Sequence, residues 1–93
     1  MLTAYLLLIT ESGKETEIGV LLKTIAGVEE VYFVYGTYDI VVKIKAENMD
    51  TLQQIVSSHL TNLKEIKSIA TLVLIPEKPK VVVFEEETPK IVA

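Results

Sequence analysis

The stretch "VYFVYGTYDIVV", residues 31–42, decides the fold, because it has the pattern of two short β-strands joined by a turn. It carries Tyr32, Tyr35 and Tyr38, and Gly36 interrupts its two hydrophobic runs. Gly36 stands at the first central position of a two-residue loop, where a type II′ turn prefers glycine. We therefore predict an antiparallel hairpin at this point of the chain.

The register of this hairpin predicts which side chains share a face of the sheet. It places Tyr35 opposite Tyr38, Val34 opposite Asp39 and Phe33 opposite Ile40, and opposed residues lie on the same face. One side of the hairpin is strongly apolar, and we expect it to lie under the helices: Val31, Phe33, Tyr35, Tyr38, Ile40, Val42 and Ile44. Asp39 belongs to the other, mixed side.

The order of elements around the hairpin predicts a ferredoxin-like α+β fold. "LTAYLLLI" at 2–9 has the length and composition of a buried strand, and "IKSIATLVLI" at 66–75 is a second such run that ends before Pro76. Helical spacing predicts one helix at about 14–26 and another that begins near Asn48 or Asp50. The order βαββαβ then gives a four-stranded antiparallel sheet with the first and third strands in its centre and both helices on one face.

Residues 77–93 differ in character from the domain at 1–76. This tail combines two prolines with the short apolar run "VVVF" at 81–84 and the acidic run at 85–87. The run 81–84 is consistent with a strand that adds to a sheet edge, and the alternative is a mobile extension. The pattern leaves both open.

Both faces of the predicted sheet are apolar, although two helices cover only one of them. In the first strand Leu6 and Leu8 point to one face, and Tyr5, Leu7 and Ile9 point to the other. A helix-free apolar face of this size is unusual on a monomer. We therefore expect a homodimer, an α/β sandwich in which two such faces pack together.

Composition excludes several classes of function. The chain has 93 residues, 49% of them hydrophobic, and a net charge of −4. All nine of its basic residues are lysines, so it lacks the arginine side chains that bind phosphate and guanine in bidentate fashion. We expect no direct nucleic-acid binding and no membrane span, and the absence of cysteine fits a cytoplasmic protein.

Two residues are candidates for chemistry. A carboxylate beside apolar and aromatic groups, such as Asp39, can bind a ligand ammonium, although it can equally cap turn amides or pair with a lysine. His59 lies beside the apolar stripe of the second helix, but one histidine without cysteine makes no metal site, and no nucleophile accompanies it. The sequence predicts no metal and no cofactor.

The segments "GVEEVYFVYGTYDIVVKIKAENMDTLQQIV" at 27–56 and "LKEIKSIATLVLI" at 63–75 resemble the ligand-sensing domain of the Lrp/AsnC (feast/famine) regulators, the RAM domain. The resemblance implies a non-enzymatic module, in a stand-alone form without a helix-turn-helix, that binds a small amino-acid effector and modulates transcription. It implies dimers, further assembly into octamers, and co-assembly with full-length regulators. It assigns ligand binding to five residues: Gly36, Tyr38 and Asp39 in the hairpin, and Ser68 and Thr71 in the last strand.

Two alternatives share this topology. One is a small enzyme of the dimeric α+β barrel type, in which His59 would act together with Tyr32 or Tyr5 in a pocket between helices and sheet. The other is an ACT-like regulatory module, in which sheets pair side by side. A pocket lined by His59 within one subunit would favour the enzyme, whereas a cavity beside residues 36–39 would favour the sensor.

Overall fold

The computed structural model describes residues 1–75 and confirms the predicted βαββαβ order. Four strands form one antiparallel sheet in the order β2-β3-β1-β4, so β1 and β3 occupy its centre. The elements are β1 (Leu2–Thr10), α1 (Glu15–Leu22), β2 (Val28–Phe33), β3 (Ile40–Ala46), α2 (Met49–Ile55) and β4 (Ile66–Val73). The tail predicted at 77–93 lies outside the described residues. Neither helix of the described part is long and apolar enough to cross a membrane.

The core lies between the two helices and one face of the central strands. Every second residue of β1 and β3 is buried there, as the period of a strand requires. The residues that form this core are Ala4, Leu6, Leu8, Ile18, Leu22, Ile25, Ile40, Val42, Ile44, Ala46, Leu52 and Leu60. Full burial of one such Leu or Ile side chain stabilises a fold by roughly 1.5–3 kcal/mol.

Helix α1 is shorter than the sequence predicted, ending at Leu22 instead of residue 26. The Thr24 hydroxyl donates to the Leu21 carbonyl at 2.6 Å, and the Thr24 main-chain N–H donates to the same oxygen at 3.0 Å. The N–H of Ile25 bonds instead to Leu22, three residues back, at 3.1 Å. With this tightening Ile25 lies in the core, whereas Leu21 is 47% exposed.

Helix α2 begins at a side-chain cap and ends in a wider turn. Asn48 accepts a hydrogen bond from the Thr51 N–H at 2.9 Å, so Asn48 is the cap and Asp50 is not. From Val56 to Leu60 the helix widens to a π-helical turn, closed by the Thr61 N–H donating to the Val56 carbonyl at 3.1 Å. The hydroxyl of Thr61 donates to the Ser57 carbonyl at 2.7 Å, which satisfies an acceptor that the wider turn leaves without a main-chain donor.

The hairpin between β2 and β3 has the predicted register but not the predicted turn. Phe33 is opposite Ile40, as expected, and Glu30 is opposite Lys43. Pairing stops at the hydrogen bond from the Val34 N–H to the Asp39 carbonyl, 3.0 Å long, so residues 35–38 form a four-residue loop. The prediction of a two-residue turn is therefore wrong.

The longer loop also changes the surroundings of two aromatic side chains. Tyr35 is fully exposed, and its predicted place under the helices is wrong. Phe33 is 58% exposed at the sheet edge, where its ring lies against Gly19 of α1.

The other face of the sheet has no helix over it within residues 1–75, and we call it the helix-free face. The register places Leu7 opposite both Val41 and Ala70, and Tyr5 opposite Leu72. Its apolar members are Tyr5, Leu7, Ile9, Tyr32, Val41, Ala70 and Leu72. The predicted second apolar face of the sheet is thus present in the fold.

Gly27 allows the close approach of β2 to the end of β3. Its φ is +98°, and a Cβ at this position would lie 2.7 Å from the main-chain oxygen of Lys45. The Lys45 N–H donates to the Gly27 carbonyl at 2.8 Å, so neither backbone can retreat without losing that bond. Both the backbone conformation and the available space require glycine here.

Gly27→Ala should therefore destabilise the fold more than Gly13→Ala, as measured by urea unfolding. Gly13 also has a positive φ of +85°, but within residues 1–75 no atom lies within 4 Å of a Cβ built there. We expect about 1–2 kcal/mol for the strained backbone at either site, and about 1–3 kcal/mol more at Gly27 for the clash. Equal losses would contradict the close-approach argument.

Candidate functional site

The loop at 34–39 brings together three of the five residues assigned to ligand binding. Gly36 has a φ of +124°, a conformation that side chains rarely adopt, so glycine is needed for the loop to turn. Tyr38 and Asp39 are both half-buried, between the exposed loop tip and the start of β3. The loop therefore presents a tyrosine and a carboxylate at one end of the sheet.

The carboxylate of Asp39 is held by the end of β1. Its Oδ2 accepts a hydrogen bond from the Thr10 N–H at 2.8 Å and lies 3.4 Å from the Thr10 hydroxyl. The Asp39 N–H in turn donates to the Leu8 carbonyl at 2.8 Å. Asp39 thus continues the pairing of β3 with β1 by one main-chain and one side-chain bond. This is the amide-capping role that the sequence left open.

Thr10 is the residue that sequence reasoning missed. It is 5% exposed, and it is the one buried polar or charged residue in the described part of the chain. Because its N–H is buried, it needs an acceptor where β3 has not yet begun. The available signal was a threonine directly after the apolar run 2–9, but the sequence alone did not show that Asp39 would accept a hydrogen bond from it.

Ser68 and Thr71 lie on opposite faces of the sheet. Ser68 is opposite Ile9 on the helix-free face, at the same end of β1 as Asp39. Thr71 is opposite Leu6, whose side chain lies in the core, so Thr71 faces the helices. A single ligand on one face can contact only one of the two side chains. Within one subunit, Ser68 is the residue that lies at the same end of the sheet as the 34–39 loop.

Thr71 instead lines a groove between α2 and β4, which we call the α2–β4 groove. Its volume is about 520 Å³, and its walls are mostly apolar. The lining residues are Met49, Leu52, Gln53, Val56, Ser57, Thr71 and Val73. His59 is not among them, although the enzyme alternative requires a pocket lined by that histidine.

The geometry also separates the other groups of the enzyme alternative. His59 is exposed on the helical layer, in the π-helical turn that follows α2. Tyr5 and Tyr32 lie on the helix-free face, on the opposite side of the sheet. Hence His59 and either tyrosine cannot act together within one subunit.

A polar cluster borders the helix-free face at β2 and β3. Glu29 lies 3.8 Å from the Nζ of Lys43 and 3.5 Å from the Nζ of Lys45. Tyr32 donates a hydrogen bond of 2.6 Å to Glu30, and this bond raises the pKa of the Tyr32 phenol above its usual value. These groups are partly exposed to water, which weakens their attraction, so they contribute little to stability. They place one carboxylate, that of Glu29, beside the two ammonium groups of Lys43 and Lys45 at this border of the face.

A sequence match identifies the family to which the chain belongs. The model of the Lrp/AsnC ligand binding domain matches residues 3–81. The chain therefore belongs to the Lrp/AsnC ligand-binding domain family, a family of regulatory, effector-binding domains. This confirms the resemblance drawn from the hairpin and the last strand.

Solved structures support the same assignment. The crystal structure of FFRP-DM1 is 35% identical, with a TM-score of 0.78, and the match covers 81% of this chain and 100% of that one. A hypothetical protein, PHS023 from Pyrococcus horikoshii, is also 35% identical, with a TM-score of 0.77 and coverage of 81% and 90%.

The fold is also found in a longer protein chain. E. coli AsnC has a TM-score of 0.77 at 23% identity, and the match covers 89% of this chain and 56% of AsnC. This chain thus spans about half the length of that protein. No curated protein sequence matches the chain significantly.

The Asp39–Thr10 bond predicts that two substitutions of Asp39 differ in stability. Asp39→Ala leaves the buried Thr10 N–H without its acceptor, and we expect a loss of about 1–3 kcal/mol in the free energy of unfolding. Asp39→Asn keeps a carbonyl oxygen at that place and should lose less than half as much. Urea unfolding of both variants measures this difference, and an equal loss would show that the bond is not what matters.

Proposed function

We propose that this domain binds a small amino acid at the 34–39 loop, with Asp39 accepting a hydrogen bond from the ligand ammonium. The observation that carries the proposal is the fixed orientation of the carboxylate. Oδ2 is bound to Thr10, while within residues 1–75 Oδ1 has no hydrogen-bond donor. An ammonium at Oδ1 forms a charge-assisted hydrogen bond worth about 1.5–3 kcal/mol.

The remaining parts of the proposed site come from the loop and from β4. Gly36 lets a ligand approach the main chain closely, because it carries no side chain at the turn. Tyr38 supplies a half-buried ring and hydroxyl. Ser68 is exposed at the same strand end, where it can contact a ligand that lies between subunits. Thr71 faces the α2–β4 groove, so we assign it no side-chain contact with this ligand.

We also propose that the domain assembles through the helix-free face. Leu72 is 53% exposed and Tyr32 is 48% exposed, and the residues between them are half-buried and apolar. Monomeric proteins rarely leave a continuous apolar surface of more than a few hundred Å² open to water. Two copies packed through this face would bury it, and their paired ends would bring loops and Ser68 side chains into one assembly.

Regulation would follow from this assembly. The family includes longer regulators, such as the AsnC protein that this domain matches over about half its length. We propose that the domain influences transcription by joining such regulators through the same face, and that the amino acid biases this association. The domain itself has no arginine with which to bind DNA phosphates in bidentate fashion.

Isothermal titration with the twenty common amino acids tests the effector part of the proposal. We expect at least one of them to bind the native protein, and Asp39→Asn to weaken it about tenfold or more, because the charge of the acceptor is lost. Asp39→Asn is preferable to Asp39→Ala here, since it keeps the bond to Thr10. Val20→Asn, on an exposed face of α1, is the matched control.

Absence of binding by all twenty amino acids to the folded protein would refute the effector assignment. If Asp39→Asn binds an amino acid as tightly as the native protein does, the domain has an effector, but its site is not at the 34–39 loop.

Light scattering tests the assembly. The native protein should have at least the mass of a dimer, and Leu7→Lys or Leu72→Lys should shift it to the monomer, because a buried lysine without a partner is costly in the interface. Val20→Lys changes an equally apolar, 65% exposed side chain on the helical side and should leave the mass unchanged. A concentration-independent monomeric mass for the native protein would contradict the proposal.

A further inference from the structure

The pairing of β4 with β1 shifts by one residue at one end of the sheet. Ile9 is opposite Ser68, as a regular ladder requires. The next residue of β1, Thr10, is opposite Ile66 instead of Lys67, so Lys67 is an extra residue without a partner on β1. Such a β-bulge interrupts the ladder and re-aims side chains, and bulges are over-represented next to active sites. The side chain of Lys67 is therefore placed by the bulge and not by the period of the strand.

The bulge changes the side of the sheet that is open to Lys67. Neighbouring residues of a regular strand point to opposite faces, so Lys67 would lie on the helical side, because Ser68 lies on the helix-free face. Ile66 occupies the helical side instead, since it is opposite the buried Thr10 and packs against the core. Lys67 is exposed, and its flexible four-carbon stem lets the ammonium reach the helix-free side beside Ser68.

Asp39 and Lys67 stand on the two sides of the end of β1. Strands β3 and β4 are the two neighbours of β1 in the sheet. The Asp39 carboxylate accepts from the Thr10 N–H at 2.8 Å on the β3 side, and Lys67 lies at the level of the same threonine on the β4 side. Adjacent strands lie about 4.8 Å apart, so the two main chains are roughly 10 Å apart across β1. An anionic and a cationic side chain thus face each other across a space that suits a small zwitterion.

The other lysines of residues 1–75 do not stand at this position. Lys14 is paired with a glutamate of α1 at 3.3 Å, and Lys23 follows the last residue of that helix. Lys43 and Lys45 lie beside one glutamate of β2, toward the opposite end of the sheet. Lys64 is close in sequence, but it lies in the turn before β4 begins. It therefore provides a matched control.

Negative charge at this end of the sheet makes a cation important for a ligand carboxylate. Glu11 comes directly after β1, and its N–H donates to the Glu65 carbonyl at 2.8 Å, so two further acidic residues stand near Asp39. The whole chain has a net charge of −4. A carboxylate that approaches Asp39 meets like charges, which is unfavourable unless a cation accompanies it. In a free amino acid the ammonium and the carboxylate are held on adjacent carbon atoms, so both must be accommodated together.

We propose that the Lys67 ammonium binds the carboxylate of the amino acid whose ammonium is bound by Asp39. This inference rests on the proposed effector site at the 34–39 loop and adds the class of compound that the site selects. The β-bulge supplies the cation, and each charge of the zwitterion then has an opposite charge beside it. The site selects amino acids with a free α-carboxylate over amino-acid amides, which keep the ammonium but lack the negative charge.

Titration of the full chain with the twenty common L-amino acids and their twenty primary amides tests the proposal. For each amino acid that binds, its amide should bind the native protein about tenfold or more weakly, because the charge that Lys67 attracts is absent. Lys67→Gln should weaken the amino acid by a similar factor and leave the amide unchanged, so that the two bind almost equally. An amide that binds the native protein as tightly as its amino acid would overturn the proposal.

Two further variants separate a direct contact from a change in net charge. Lys64→Gln removes the same charge three residues earlier and should keep the preference for the carboxylate. Lys67→Arg keeps a cation at the bulge and should retain most of that preference. If Lys64→Gln loses the preference to the same extent as Lys67→Gln, net charge is the cause and the contact is refuted. A preference that survives in Lys67→Gln would assign the carboxylate to another group and would equally overturn the proposal.

The same titrations distinguish failure of this contact from failure of the effector site. If amino acids bind and Asp39→Asn weakens them while Lys67→Gln does not, the effector site stands and the role of Lys67 is wrong. If neither the amino acids nor the amides bind, the effector site is refuted and the contact with it. Urea unfolding shows that each variant is folded, and we expect native stability for Lys67→Gln because the side chain is exposed.

Discussion

Two short helices can cover only part of one face of a four-stranded sheet, and the other features of this domain depend on that constraint. Helix α1 has eight residues and α2 has seven before it widens. Together they close the core over β1 and β3 and leave three surfaces uncovered within residues 1–75. These are the helix-free face, the α2–β4 groove and the outer edge of β4. The proposal for assembly arises from the apolar character of the helix-free face.

The bond between Asp39 and Thr10 connects the fold to the proposed site. Its Oδ2 supplies an acceptor to a buried N–H at the end of β1, so the loop that carries it is attached to the central strand. The Asp39 side chain has already lost its rotational freedom in the folded protein. A ligand would not have to restrict it further, and this preorganisation favours binding. The proposed effector binding and the stability of the fold are therefore linked at this position, unless a substitution keeps an acceptor.

The sequence predicted the architecture well because strand and helix periods do not depend on fine geometry. The order of elements gave the central strands, and the turn placed at Gly36 gave the register of the hairpin, which holds although the loop is longer. The details that failed were set by contacts invisible to such patterns. Thr24 shortens α1 through a hydrogen bond to Leu21, and the bond from Val34 to Asp39 lengthens the hairpin loop.

Prediction of the site was limited in the same way. A family motif pointed to Asp39, but its actual partner, Thr10, is 29 residues away in the chain. Ser68 and Thr71 were assigned together by the resemblance to the family. A spacing of three residues places them on opposite sides of a strand, and this separation could have been derived from the period of the strand alone.

That alternation along β4 has a consequence for how such domains can diverge. Ser68, Ala70 and Leu72 belong to the surface proposed for assembly, whereas Ile69, Thr71 and Val73 belong to the helical side and the groove. A single strand of eight residues thus carries two interleaved sets of positions. Substitutions in one set can alter the choice of subunit partner while the other set keeps its contacts, so two properties can evolve separately within one short segment.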